Sequence, residues 1–147
     1  MKYFIAALCL LSIACRTDKS ENLKRNENQV EAKRNSEFNI LLAAVGETRK
    51  ATIATVQTYQ SDTKRLALVT YTLEGVTGFF NMAVEEPLDP NSLQEGGRTY
   101  VCNGLTCNCL VVVTAGTNGQ YSLSCNCSSC ELIIAESPQT TQFFNSL

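Results

Sequence analysis

Apolar and polar positions divide the chain into blocks. An apolar run from Tyr3 to Ala14 comes first. A polar stretch from Arg16 to Ser36 follows, with only Leu23, Val30 and Ala32 as apolar residues. The run Phe38 to Val45 is mostly apolar and stops at Gly46. Its length fits a buried strand or a short helix, and periodicity does not separate the two. Beyond it, strand patterns dominate. Ala51–Tyr59 and Leu66–Leu73 are rich in Thr, Val, Ile, Leu and Tyr, and the polar residues 60–64 between them predict a hairpin. Further strands are predicted over Gly78–Val84, Arg98–Cys102, Thr106–Thr114, Gln120–Cys127 and Glu131–Ala135. Glu85–Gly97, with Pro87, Pro90, Gly96 and Gly97, is expected to be a loop. Strand following strand across short turns implies a mainly β fold, a small antiparallel sheet or sandwich built from hairpins. The alternative is α+β with a helix near 38–45.

The first block is too short to cross a bilayer as a helix, which needs roughly 20 apolar residues. Lys2, the short apolar core and the small residues Ser12 and Ala14 form the pattern of a cleavable signal peptide over 1–14. The end of that block, Leu11-Ser12-Ile13-Ala14-Cys15, resembles the cleavage site of bacterial envelope lipoproteins, with Ser12 standing where leucine is usual. The resemblance covers this segment only. It implies export, lipidation of Cys15 and attachment to a membrane of the bacterial cell envelope; plain cleavage would leave a secreted or periplasmic soluble protein. Residues 15–36 are then expected to be a flexible tether, because so polar a stretch buries too little surface to offset its ordering entropy. A single β-rich domain is expected over 37–136, and a polar tail with Phe143 and Phe144 over 137–147.

Cysteine parity agrees with lipidation. Of eight cysteines, Cys9 leaves with the signal and Cys15 is consumed by the lipid. Cys102, Cys107, Cys109, Cys125, Cys127 and Cys130 remain, an even set for pairing. Gly116-Thr117-Asn118-Gly119 breaks this set in the middle, so Cys107–Ala115 and Gly119–Cys127 are predicted to be the arms of one hairpin. Alternation places Cys107, Cys109, Val111 and Val113 on one face of the first arm, and Tyr121, Leu123, Cys125 and Cys127 on one face of the second. A strict two-residue Asn118-Gly119 loop would set apolar against polar faces. An odd loop avoids this. Centred on Thr117 it pairs Cys107 with Cys127 and Cys109 with Cys125; spanning Thr117–Gly119 it pairs Cys109 with Cys127.

Three chemistries fit such a face. Structural disulfides, for instance Cys102–Cys130, Cys107–Cys127 and Cys109–Cys125, would staple a small exported domain. Alternatively, Cys107, Cys109, Cys125 and Cys127 would offer four thiolates to zinc or copper. Against that stand the oxidising compartment and the position of both C-x-C pairs within strands. The third reading is thiol-disulfide exchange at Cys127-Ser128-Ser129-Cys130, although a strand rather than a helix follows this pair.

Charge and missing residue types narrow the function further. Only Arg98 is basic after residue 65, so no basic patch exists for a nucleic-acid backbone. The chain has no His, the commonest general base and metal ligand. No nucleophile elbow, phosphate loop or catalytic acid pair appears. Glu85, Glu86 and Asp89 match no calcium loop. Asn126-Cys127-Ser128 matches a glycosylation acceptor, relevant only to a eukaryotic secretory route. The sequence therefore points to a non-catalytic, lipid-anchored envelope protein with a binding or structural role, needing no cofactor.

Overall fold

The structure, a computed structural model, describes residues 14–89, 96–105, 107–116 and 120–147. The signal segment 1–14 therefore lies, but for Ala14, outside the described residues. The chain divides into two compact units, one up to Lys33 and one from Arg34 to Leu147. Helix α1 runs from Ala14 to Ala44. Residues 15–36, expected to be a flexible tether, are thus helical. The stretch contains no Gly or Pro and many helix-favouring Glu, Lys, Arg and Gln residues, so local propensity favours the helix, and residues 24–33 are exposed along it. Among the described residues, no helix is long and apolar enough to cross a membrane.

The second unit is mainly β. Strands β1 (Ala51–Gln60), β2 (Lys64–Leu73), β3 (Phe80–Pro87), β4 (Gly97–Asn103) and β7 (Glu131–Ser137) form a five-stranded sheet in the order β1-β2-β3-β4-β7. Each neighbouring pair is antiparallel. Strands β5 (Val111–Ala115) and β6 (Tyr121–Cys125) form a separate hairpin inserted between β4 and β7. Strand β3 runs on to Pro87, so the loop expected from Glu85 begins later.

Alternation along β2 divides the core in two. Ala67, Val69, Tyr71 and Leu73 face one side, together with Met82 and Val84 of β3. The last turns of α1 and the short helix α2 (Thr140–Phe144) cover them. In α1 the buried residues are Phe38, Leu41 and Leu42, at the i, i+3, i+4 spacing of one helical stripe. The apolar run near 38–45 is therefore helix, within a fold that remains mainly β. The tail is not a polar appendage: Phe143 is fully buried, 5.8 Å from the Phe38 ring, and Phe144 is nearly so. On the opposite side, Leu66, Ala83 and Tyr100 pack beneath Val111, with Val113, Tyr121 and Leu123 of the hairpin against the same cluster.

Gly46 closes α1. With φ +85° it lets the Glu47 N–H reach the Leu42 carbonyl at 3.0 Å and its own N–H reach Ala43 at 3.1 Å, a Schellman cap. The same end of α1 covers part of the β1 edge. Asn39 accepts from the Ala51 N–H at 2.8 Å and donates to the Ala51 carbonyl at 3.1 Å, while Asn35 accepts from Ile53 at 2.9 Å. One helix turn thus satisfies backbone groups that an edge strand would otherwise leave open.

Candidate functional site

The hairpin register decides where the sulfurs fall. Val111 pairs with Cys125 and Ala115 with Tyr121, the register expected for a Thr117–Gly119 loop; those three residues lie outside the described set. The paired arms are shorter than predicted and stop at Val111 and Cys125. Beyond them Asn126 continues the contact through its side chain. It accepts from the Leu110 N–H at 2.8 Å and donates to the Asn108 carbonyl at 3.0 Å, while its own N–H reaches Leu110 at 3.0 Å. Asn81 of β3 holds the hairpin down in the same way, accepting from the Val111 N–H at 2.7 Å and donating to its carbonyl at 2.9 Å.

All six candidate cysteines are bridged. The pairs are Cys102–Cys125, Cys107–Cys127 and Cys109–Cys130, with Cα separations of 5.7, 6.9 and 5.8 Å. Of the pairs considered from the sequence, Cys107–Cys127 is present, whereas Cys102–Cys130, Cys109–Cys125 and Cys109–Cys127 are not. The reason is the stacking of layers. Cys125 is the last inward residue of β6 and faces the sheet, where Cys102 of β4 points up from the same core cluster. That bridge joins hairpin to sheet instead of arm to arm.

The other two bridges form one cluster. The sulfurs of Cys107, Cys109 and Cys130 lie within 4.8 Å of one another, and Cys127 is bonded to the first of them. Cys107 Sγ is 3.2 Å from Cys130 Sγ and 3.8 Å from Cys109 Sγ, across the bridges. The four-thiolate set drawn from the sequence therefore changes by one member: Cys125 is tied to Cys102, and Cys130 takes its place. These cysteines lie outside the strands. Cys107 and Cys109 precede β5, and Cys127–Cys130 is a tight turn closed by the Cys130 N–H on the Cys127 carbonyl at 3.1 Å. Gly104 lies against the cluster; a Cβ there would stand 2.7 Å from Cys109 Sγ and 3.0 Å from the Ser129 carbonyl.

Beside the sulfurs opens a cleft of about 340 Å³. Leu42, Tyr71, Phe80, Val101 and Ile133 give it apolar walls, Cys107 and Cys109 one edge, and Glu47 and Arg49 another. Glu47 and Arg49 form a two-pronged ion pair, with contacts of 2.8 and 2.6 Å. The Arg49 hydrogen bond holds the Glu47 carboxyl below the usual carboxylate value. Burial pushes the Tyr71 hydroxyl up to about 12. Asn103 and Asn108 add further polar groups, so the lining is about as polar as it is apolar.

The acidic group Glu85, Glu86 and Asp89 does not assemble as a cation site. Glu85 and Glu86 are buried in β3 and lie against separate cations: Lys64 at 3.1 Å from Glu85, Arg65 at 2.5 Å from Glu86. Tyr100 and Tyr121 donate to Glu85 at 3.1 and 3.2 Å, and Thr141 donates to Glu86. No family model, no curated protein and no solved structure matches this chain.

Proposed function

We propose that this protein is an exported binding module, held at a membrane of the cell envelope by a lipid on Cys15. In this reading its β unit is stapled by three disulfides and carries no catalytic group. The single observation behind the reading is the set of three bridges, which uses every cysteine left after signal cleavage and lipidation. Small exported domains are stabilised in this way, by removing loop-closure entropy from the unfolded chain. The cleft beside the bridges is the binding surface. Its lining, about half apolar and half polar, suits a small amphipathic molecule.

The test is the intact mass of the unreduced, denatured protein from its native compartment. The expected result is a chain beginning at Cys15, acylated there, and lighter by the six hydrogens of three bridges. Six free thiols would overturn the stapled reading. An unmodified Cys15, or a chain that still carries residues 1–14, would overturn the lipid anchor.

A further inference from the structure

We propose that Cys107, Cys109, Cys127 and Cys130 form a redox-gated metal centre: closed as two disulfides, and binding one zinc ion once a dithiol opens both. The proposal rests on the placement of the four sulfurs and does not depend on the anchor or the cleft.

Three of the four sulfurs, those of Cys107, Cys109 and Cys130, already stand as closely as zinc ligands do, and Cys127 is bonded to the first of them. Zinc bound tetrahedrally by thiolates at 2.3 Å keeps its sulfurs about 3.8 Å apart. Across the two bridges the separations are 3.8 Å for Cys107–Cys109 and 3.2 Å for Cys107–Cys130. Rotation about Cα–Cβ bonds, largest at Cys127, whose sulfur lies outside the close set of three, completes a tetrahedral set. The ligands come from two loop segments, a C-x-C before β5 and a C-x-x-C on a tight turn after β6. Side chains on loop segments turn in this way without disturbing a strand ladder.

The frame outlasts the bridges. Asn126 hydrogen-bonds Leu110 and Asn108, so the segment carrying Cys107 and Cys109 stays beside the segment carrying Cys127 when the sulfur bonds open. Asn81 keeps Val111 on the sheet, and Cys102–Cys125 stands apart from the four. All four sulfur residues are half-buried, within reach of a small reductant. Two dithiol molecules supply four electrons and four protons. Both sulfur–sulfur bonds break, four thiols form, and each reductant closes to its own disulfide. Zinc binding then replaces the four S–H bonds with Zn–S bonds and releases four protons.

The experiment uses the full chain, reduced anaerobically with a dithiol, freed of it and titrated with Zn²⁺ alone. Native mass spectrometry counts the ions, and alkylation followed by peptide mapping identifies the protected cysteines. The expected result is one ion per chain, with Cys107, Cys109, Cys127 and Cys130 protected and Cys102 and Cys125 alkylated. The C102S/C125S variant should bind zinc unchanged, and Cys130→Ser should weaken it at least 100-fold. Protection of Cys125 in place of Cys130, or no bound zinc, would overturn the centre. If reduction costs the fold, recovery of the native circular dichroism on adding zinc supports the proposal, and failure to recover overturns it.

Discussion

Glu85 and Glu86 are consecutive in β3, yet their carboxylates lie on opposite faces of the sheet, each against a different cation and a different covering layer. Glu85 lies under the β5–β6 hairpin with Lys64, Tyr100 and Tyr121; Glu86 lies under α2 with Arg65 and Thr141. The two-residue period of a strand makes this unavoidable. One dipeptide therefore links the polar contacts of both layers. The two cations are not equivalent. Arg65 also lies over the Phe144 ring, 4.4 Å from its centroid, and is directly opposite Glu86 in the β2–β3 register.

Arg65→Ala should accordingly cost more than Lys64→Ala. Removing Arg65 leaves a buried carboxylate with one hydroxyl donor, and strips the face of Phe144. A loss of about 3 kcal/mol is expected, the size found when one partner of a buried pair is deleted. The Lys64 side chain is 40% exposed, and Glu85 keeps both tyrosine hydroxyls when it is lost. There the cost should be about 1 kcal/mol or less. Urea unfolding of both variants measures the difference; equal losses would refute it.

Alkali should destabilise the fold through the same network. Burial, then the Glu85 charge and hydrogen bond, push the Tyr100 hydroxyl up to about 12 and also raise Tyr121. Both folded values lie above the ordinary tyrosine value near 10. The protonated hydroxyls thus contribute stability in full below about pH 10, and it is lost as pH rises through about 12. Denaturation midpoints taken from pH 8 to 12 should fall over that window. Tyr100→Phe should start from a lower midpoint and show a shallower fall.

The C-terminal residues should be indispensable to the core. Phe143 is fully buried against Phe38, and α2 shields the Arg65–Glu86 pair. Phe143→Ala should cost about 3–5 kcal/mol. A chain ending at Ser137 should lose at least as much, read by thermal unfolding. A truncated chain of unchanged stability would mean that α2 is not part of the fold.

Pattern made some of this legible and concealed the rest, for identifiable reasons. The inward set Val111, Val113, Tyr121, Leu123 and Cys125 was readable because a half-buried hairpin alternates strictly, and its burial alternates as expected. The helical state of 38–45 was not, because an almost unbroken apolar run carries no period; only the burial of Phe38, Leu41 and Leu42 reveals the stripe. Phe143 and Phe144 were invisible as core, since a five-residue helix is too short to show a repeat. The disulfide partners were argued from a single hairpin. Two of the three nested pairs fail because Cys125 faces another sheet, and a local register contains nothing about stacking. Glu85 and Glu86 looked like loop acids because Pro87 reads as a breaker, whereas here it ends a strand.

Edge protection gives a prediction that separates backbone bonding from helix packing. Asn39→Leu replaces a poor helix former with a good one on α1, but removes both hydrogen bonds to Ala51. Net destabilisation of about 1–2 kcal/mol is expected, since a partly buried N–H and C=O lose their partners. Hydrogen exchange at Ala51 should quicken while exchange at Val69, in the centre of β2, follows global stability alone.

Gly104 provides the sharpest test of the cysteine geometry. A methyl group there would lie 2.7 Å from Cys109 Sγ, 3.0 Å from the Ser129 carbonyl and 3.3 Å from Cys130 Cα. Two of these three atoms belong to backbone, so the turn itself must move. The Cys109–Cys130 bridge spans this point, whereas Cys102–Cys125 does not touch it. Gly104→Ala, refolded oxidatively, should therefore yield a mixture in which Cys109 and Cys130 are partly mispaired and Cys102–Cys125 is retained. Peptide mapping under non-reducing conditions reads the pairing directly. Uniform native pairing in the variant would show that the loop yields by several tenths of an ångström without cost, and that Gly104 is not what holds the turn against the sulfurs.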